Sequence, residues 1–114
     1  MELPDDATVL RGGRLDGERL LRGCGCHAGV FGFSVQCAAG LAIHALAEAG
    51  RIPHGLVGVT TVGDIRARGF DVVSTSGKGH HATVVVPVSL DPQEADGLAA
   101  IFKLEPNPLR GENQ

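Results

Sequence analysis

The chain has no tryptophan, no tyrosine and only four phenylalanines, and that poverty in large rings limits what can fill an interior. The core has to be assembled from Val, Leu, Ile and Ala. Phe31, Phe33, Phe70 and Phe102 are then read as core residues rather than as stacking platforms for nucleobases. A length of 114 residues with 43% hydrophobic and 20% charged content fits one globular domain around a single core. Residues 1–6 read as a polar lead-in and 105–114 as a flexible tail.

The pattern along the chain alternates between the two regular periods. "ATVLRGG" is a short strand stopped by Gly12 and Gly13, and "LDGERLLRG" is either a helical turn or a loop. "CGCHAG" is rich in glycine and is expected to be a flexible connection. "VFGFSVQ" is a strand with Phe31, Phe33 and Val35 on one face and Gly32 and Ser34 on the other. "CAAGLAIHALAEAG" is expected to be a helix whose stripe is Ala38, Leu41, Ala42, Ala45, Leu46 and Ala49, ending at Gly50, with His44 off the stripe.

After the turn "RIPHG", "LVGVTTV" is a strand and "TVGDIRARG" a short helix capped by Thr61. "FDVVSTS" and "HHATVVVPV" form a hairpin around "GKG". "DPQEADGLAAIFK" carries strong start signals, with Asp91 as N-cap, Pro92 at the first position and Glu94 completing a capping box. Its buried stripe is Ala95, Leu98, Ala99 and Phe102. This order predicts an α+β domain built on a small mixed or antiparallel sheet, or sheets, with flanking helices.

A net charge of −3 gives no strong signal for nucleic acid or for an acidic membrane surface. One stretch departs from it: Arg11, Arg14, Arg19 and Arg22 fall within twelve residues. They are either a solvated surface or a small anion site for one or two phosphates. No charged-then-apolar leader and no long apolar run is present, so a soluble cytoplasmic protein without a membrane partner is expected. Cys24, Cys26 and Cys37 are odd in number, which suits a reducing compartment.

Three kinds of chemistry compete for the polar residues. Cys24, Cys26, His27 and Cys37 supply zinc-type ligands, but a Cys-x-x-Cys knuckle is missing, so no metal site is assigned. Cys37, read at a helix start, is either a thiol of lowered pKa with a histidine as its base or an inert, partly buried cysteine, the second being the favoured reading. His80 and His81 open a strand on opposite faces. His80 falls with Ala82, Val84 and Val86 on the core face, and His81 with Thr83 on a polar face where an imidazole can act as acid or base.

Three pieces together, "VLRGG", "GFSV" before an alanine-rich helix and "GHHATVVVP", resemble the compact ADP-ribosyltransferase-like domains of bacterial toxins, across residues 8 to 87. That resemblance implies an ADP-ribosyltransferase-like fold binding NAD in a cleft between two small sheets. It implies cleavage of the N-glycosidic bond of NAD, with ADP-ribose passing to a macromolecular acceptor or to water. Arg11 and Gly12 would meet the dinucleotide, with Gly13 helping the chain to turn beneath it. Gly32 would give the ligand room and Ser34 would support the nicotinamide ribose. The family's late glutamate has no counterpart here, since no carboxylate lies between Asp71 and Asp91. His81 would take part of its role. A second reading is a non-catalytic interaction protein, antitoxin-like or regulatory, with a cognate protein partner, and a third is a zinc or thiol protein.

Overall fold

The computed structural model describes residues 3–75 and 79–108. In chain order these form β1 (Thr8–Gly12), α1 (Gly17–Arg22), β2 (Cys24–His27), β3 (Val30–Ala38), α2 (Ile43–Ala49) and β4 (Leu56–Thr61). They continue with α3 (Val62–Ala67), β5 (Asp71–Ser74), β6 (His81–Val85), α4 (Pro92–Ala100) and β7 (Lys103–Pro106). The strands make one sheet in the order β5-β6-β3-β1-β4-β7, with β2 also paired to β3. Each of these pairs is antiparallel. The domain is therefore α+β, as the sequence predicts, with one sheet rather than two. Residues 77 and 78 of the expected "GKG" turn lie outside the described residues.

Strand alternation divides the side chains between two faces. Val9, Phe33, Val35 and Val84 point to the face covered by α1, α3 and α4, where they meet Leu20, Ile65 and Leu98. All seven are buried to 3% exposure or less, and each of the larger ones contributes about 1.5–3 kcal/mol by leaving water. The other face carries a smaller cluster of Leu10, Ala38 and Val57 beneath Leu46 and Ala47 of α2. The rest of that face mixes polar residues, among them Ser34, Gln36, His81 and Thr83, with half-buried Val30, Val73 and Val85.

Local chemistry explains where helices begin. Thr61 Oγ1 accepts the Asp64 N–H at 3.1 Å at the start of α3, and Asp91 Oδ1 accepts the Gln93 N–H at 3.0 Å at the start of α4. Asp16 does the same for α1 with the Arg19 N–H at 2.8 Å. Each satisfies a donor that has no partner within its own helix.

Four expectations need correction. "CGCH" is a strand, because Ala28 (φ 53°) and Gly29 (φ 81°) make a two-residue turn of the kind that closes hairpins and lay β2 on β3. The helix expected from residue 37 starts only at Ile43, because Gly40 at φ 75° breaks the chain and Cys37 and Ala38 continue β3. Its buried residues are Leu46 and Ala47, while Ala42 and Ala49 are exposed. The tail is tied down at its start: β7 pairs with β4, and Asn107 is fully buried. The lead-in is anchored too, with Leu3 packed on the core and its carbonyl accepting from Arg66 Nη1 at 2.8 Å. No helix among the described residues is long and apolar enough to cross a membrane.

Candidate functional site

The site grows out of an irregularity in β3. One edge of this strand pairs with β6 from Gly32 to Gln36. The opposite edge is shared: β2 covers Val30 to Phe33 and β1 covers Gln36 to Ala38. Cys37 donates its N–H to His80 O, and Phe31 O accepts from Val86 N. The odd-numbered residues of β3 therefore bond toward β6, and the even-numbered ones bond toward β1 and β2. Gly32 is matched with Gly25 and Gln36 with Leu10. Ser34, between them, has no strand opposite it on this edge.

Arg11 fills that gap. Its Nη1 donates to the Ser34 carbonyl at 2.6 Å, and its guanidinium carbon lies 5.3 Å from the centre of the Phe33 ring. Gly23 admits the group, since a Cβ there would stand 2.5 Å from Nη2. No carboxylate pairs with Arg11 among the described residues. Burial pulls its pKa below the usual arginine value, with the Cys24 thiol acting in the opposite sense. That thiol is itself pushed up by burial, so at neutral pH it brings no negative charge to the arginine.

A cavity of about 540 Å³ opens at this break, within the roughly 300–1,000 Å³ range of small-molecule sites. Its wall includes Arg11, Arg14, Arg19, His54, Ser34 and the Gly12–Gly13 backbone, and among the described residues no acidic one. Arg19 is held by Asp16 at 3.0 Å on the exposed side. His54 belongs to the loop after α2, which presses onto the end of β1. A Cβ on Gly12 would stand 2.5 Å from His54 Nδ1 and 2.6 Å from Ile52 Cγ2. Asn107 secures the loop, its Nδ2 donating to Ile52 O at 3.0 Å and to His54 O at 2.8 Å.

Of the residues singled out from sequence, Arg11, Gly12, Gly13 and Ser34 meet in this wall. Gly32 and His81 do not. The open side of Gly32 is taken by the neighbouring strand, because a Cβ there would overlap the Val84 carbonyl oxygen. Its small size serves the sheet rather than a ligand. His81 lies on the α2 face of the sheet, its Nδ1 2.8 Å from Thr75 Oγ1, and Thr83 beside it is fully buried.

The thiols separate as well. Cys24 and Cys26 alternate with His27 and so face the other way along β2. Cys37 sits in the core at 4% exposure, where burial pushes its thiol up to about 11. This agrees with an inert, buried cysteine and not with the lowered thiol of a helix start. Sequence reasoning missed His54, Gly23 and Asn107. Nothing local marks them, since each acts on residues far away in the chain.

No family model matches the chain, and no curated protein or solved structure is significantly similar to it.

Proposed function

We propose that the protein binds a phosphate-bearing nucleotide in the Arg11 cavity, with NAD as the first candidate. The observation that carries this reading is the half-buried Arg11 guanidinium, with one hydrogen bond satisfied and no carboxylate beside it among the described residues, in a wall of further cations. A guanidinium kept from water without a counter-ion is costly, and a planar fork of N–H donors matches phosphate oxygens. A ligand pyrophosphate would supply the missing charge, with Arg14 and Arg19 at the rim steering it in.

The ADP-ribosyl transfer implied by the toxin-domain resemblance is the finer part of this proposal. The presence of Arg11 and Ser34 in one wall supports it. The wall's composition favours binding over cleavage, since a developing oxocarbenium ion is best stabilised by a carboxylate and the lining includes none. His81, given that part from sequence, is not in the lining.

The test is calorimetric titration of NAD, ADP and inorganic pyrophosphate into the folded protein and into Arg11→Ala. Saturable binding that falls about 10- to 100-fold in the variant is expected, as roughly 1.5–3 kcal/mol rests on hydrogen bonds to a charged group. Preference for NAD over pyrophosphate would support the dinucleotide. Equal affinity in Arg11→Ala, or no binding of any of the three to the folded protein, overturns the assignment.

A further inference from the structure

His54 stands in the wall of the arginine cavity, and residues from two distant parts of the chain hold it there. Its ring spans the end of β1. A Cβ on Gly12 would stand 2.5 Å from Nδ1 and 3.2 Å from Cε1, and one on Gly13 would stand 3.2 Å from Cδ2 and 3.6 Å from Nε2. Side chains at these two positions would push the imidazole off the strand. From the other side comes Asn107, which is fully buried and directs its amide to the Ile52 and His54 carbonyls.

The clasp acts on the backbone of His54, so it does not call for an imidazole at this position. The ring itself is unengaged: neither nitrogen has a hydrogen-bond partner among the described residues, whereas His81 has its Nδ1 beside Thr75 Oγ1 at 2.8 Å. His54 is also exposed, so solvent can exchange protons with it. A polar ring that is held in a cavity wall and bonded to nothing there is available to a ligand.

The charges around it decide what kind of ligand. Arg11 and Arg14 share the wall from β1 and the segment after it, and Arg19 from α1, where Asp16 holds it at 3.0 Å. The β3 residues of the wall, Ser34 and Gln36, are neutral, and so is Asn107. His44 and Glu48 of α2 and Arg51 of the following loop are exposed and outside the wall. A protonated imidazole would add a further positive group to this wall, and an anion would be gripped more strongly by it. We infer that His54 is a ligand residue of the cavity and meets a phosphate oxygen as an imidazolium, so that binding draws a proton from solvent. The inference rests on the nucleotide reading and makes affinity rise as pH falls through the range in which imidazoles gain their proton.

NAD is the probe, because each of its two phosphates carries one charge throughout pH 5.5 to 8, and guanidinium groups stay charged there as well. Calorimetric titrations are run at both ends of this range on the native protein, His54→Gln and His44→Gln, with folding checked by circular dichroism. Native affinity should be roughly tenfold higher at pH 5.5, the difference between a charge-assisted and a neutral hydrogen bond. His54→Gln should lose that gain and His44→Gln should keep it. At pH 7 the native binding heat should vary with the ionisation enthalpy of the buffer, and the His54→Gln heat should not. Arg11-dependent binding without the pH gain, or a gain retained in His54→Gln, overturns the role of His54 and leaves the nucleotide reading standing. No binding at either pH overturns both.

Discussion

Two arginines of this domain leave water in contrasting company. Arg66 bonds Asp5 at 2.6 Å and Asp71 at 3.0 Å, with its side chain 23% exposed. The hydrogen bonds to Asp5 and then Asp71 raise its pKa. Arg11 is half-buried with a backbone carbonyl, an aromatic face and a neutral thiol for company, and burial lowers its pKa. Arg66 ties the lead-in to α3 and β5 and has its counter-charges built in. Arg11 has the Ser34 carbonyl and the Phe33 ring but, among the described residues, no carboxylate.

Exchange of ligand response for stability would break the contrast most sharply. Pyrophosphate should raise the melting temperature of the native protein and of Arg66→Met, and leave Arg11→Met unmoved. A rise in Arg11→Met equal to the native one would erase the distinction. Without ligand the order reverses: Arg66→Met should melt several degrees below the native protein, because Asp5 and Asp71 lose their common partner. Arg11→Met should melt close to it or above, since replacing an unpaired, partly buried charge by an apolar chain of similar length removes a desolvation cost. Differential scanning fluorimetry reads both.

The thiols offer a smaller contrast. Cys37 keeps its proton to about 11 in the folded state, whereas an unfolded thiol ionises near 8.5. The folded protein therefore holds more protons between these values, and stability falls as pH rises through that window. The loss amounts to about 3 kcal/mol at roughly 1.4 kcal/mol per pKa unit, measurable by urea unfolding at pH 8 and pH 11, and Cys37→Val should flatten the slope.

The smallest expected effect concerns the hairpin that lays β2 beside Arg11. Ala28 occupies a left-handed conformation that costs an alanine roughly 1 kcal/mol. Ala28→Asn, the residue such turns favour, should gain about 0.5 kcal/mol in the same assay. A loss of stability there would mean that the turn is held by its surroundings.

How much of this was legible depended on whether a signal was local. Asp91-Pro92 and Thr61 mark helix starts because a cap acts within three residues, and those helices are where the sequence puts them. The alternation of Phe31, Phe33 and Val35 gave β3 because one buried face imposes a period of two. "CAA" reads equally as helix or strand, and only the conformation of Gly40 decides it. The "CGCH" strand hid behind the glycines of "CGCHAG", of which Gly29 belongs to the turn. At the site, Arg11 was legible as one of a basic cluster. Its meeting with Ser34 depends on where β1 stops pairing and β2 begins, and His54 arrives through Asn107, 53 residues away.

Asn107 also sets an order of events during synthesis. A chain emerges from its N-terminus onward, so Arg11, Ser34 and His54 leave the ribosome well before the amide that holds the His54 loop in place. Until residue 107 emerges, the cavity has its cations but lacks the clasp on one wall. Closure of that wall in a nascent chain therefore waits until nearly the whole described domain is available to fold, and an incomplete translation product carries the arginines without the clasp.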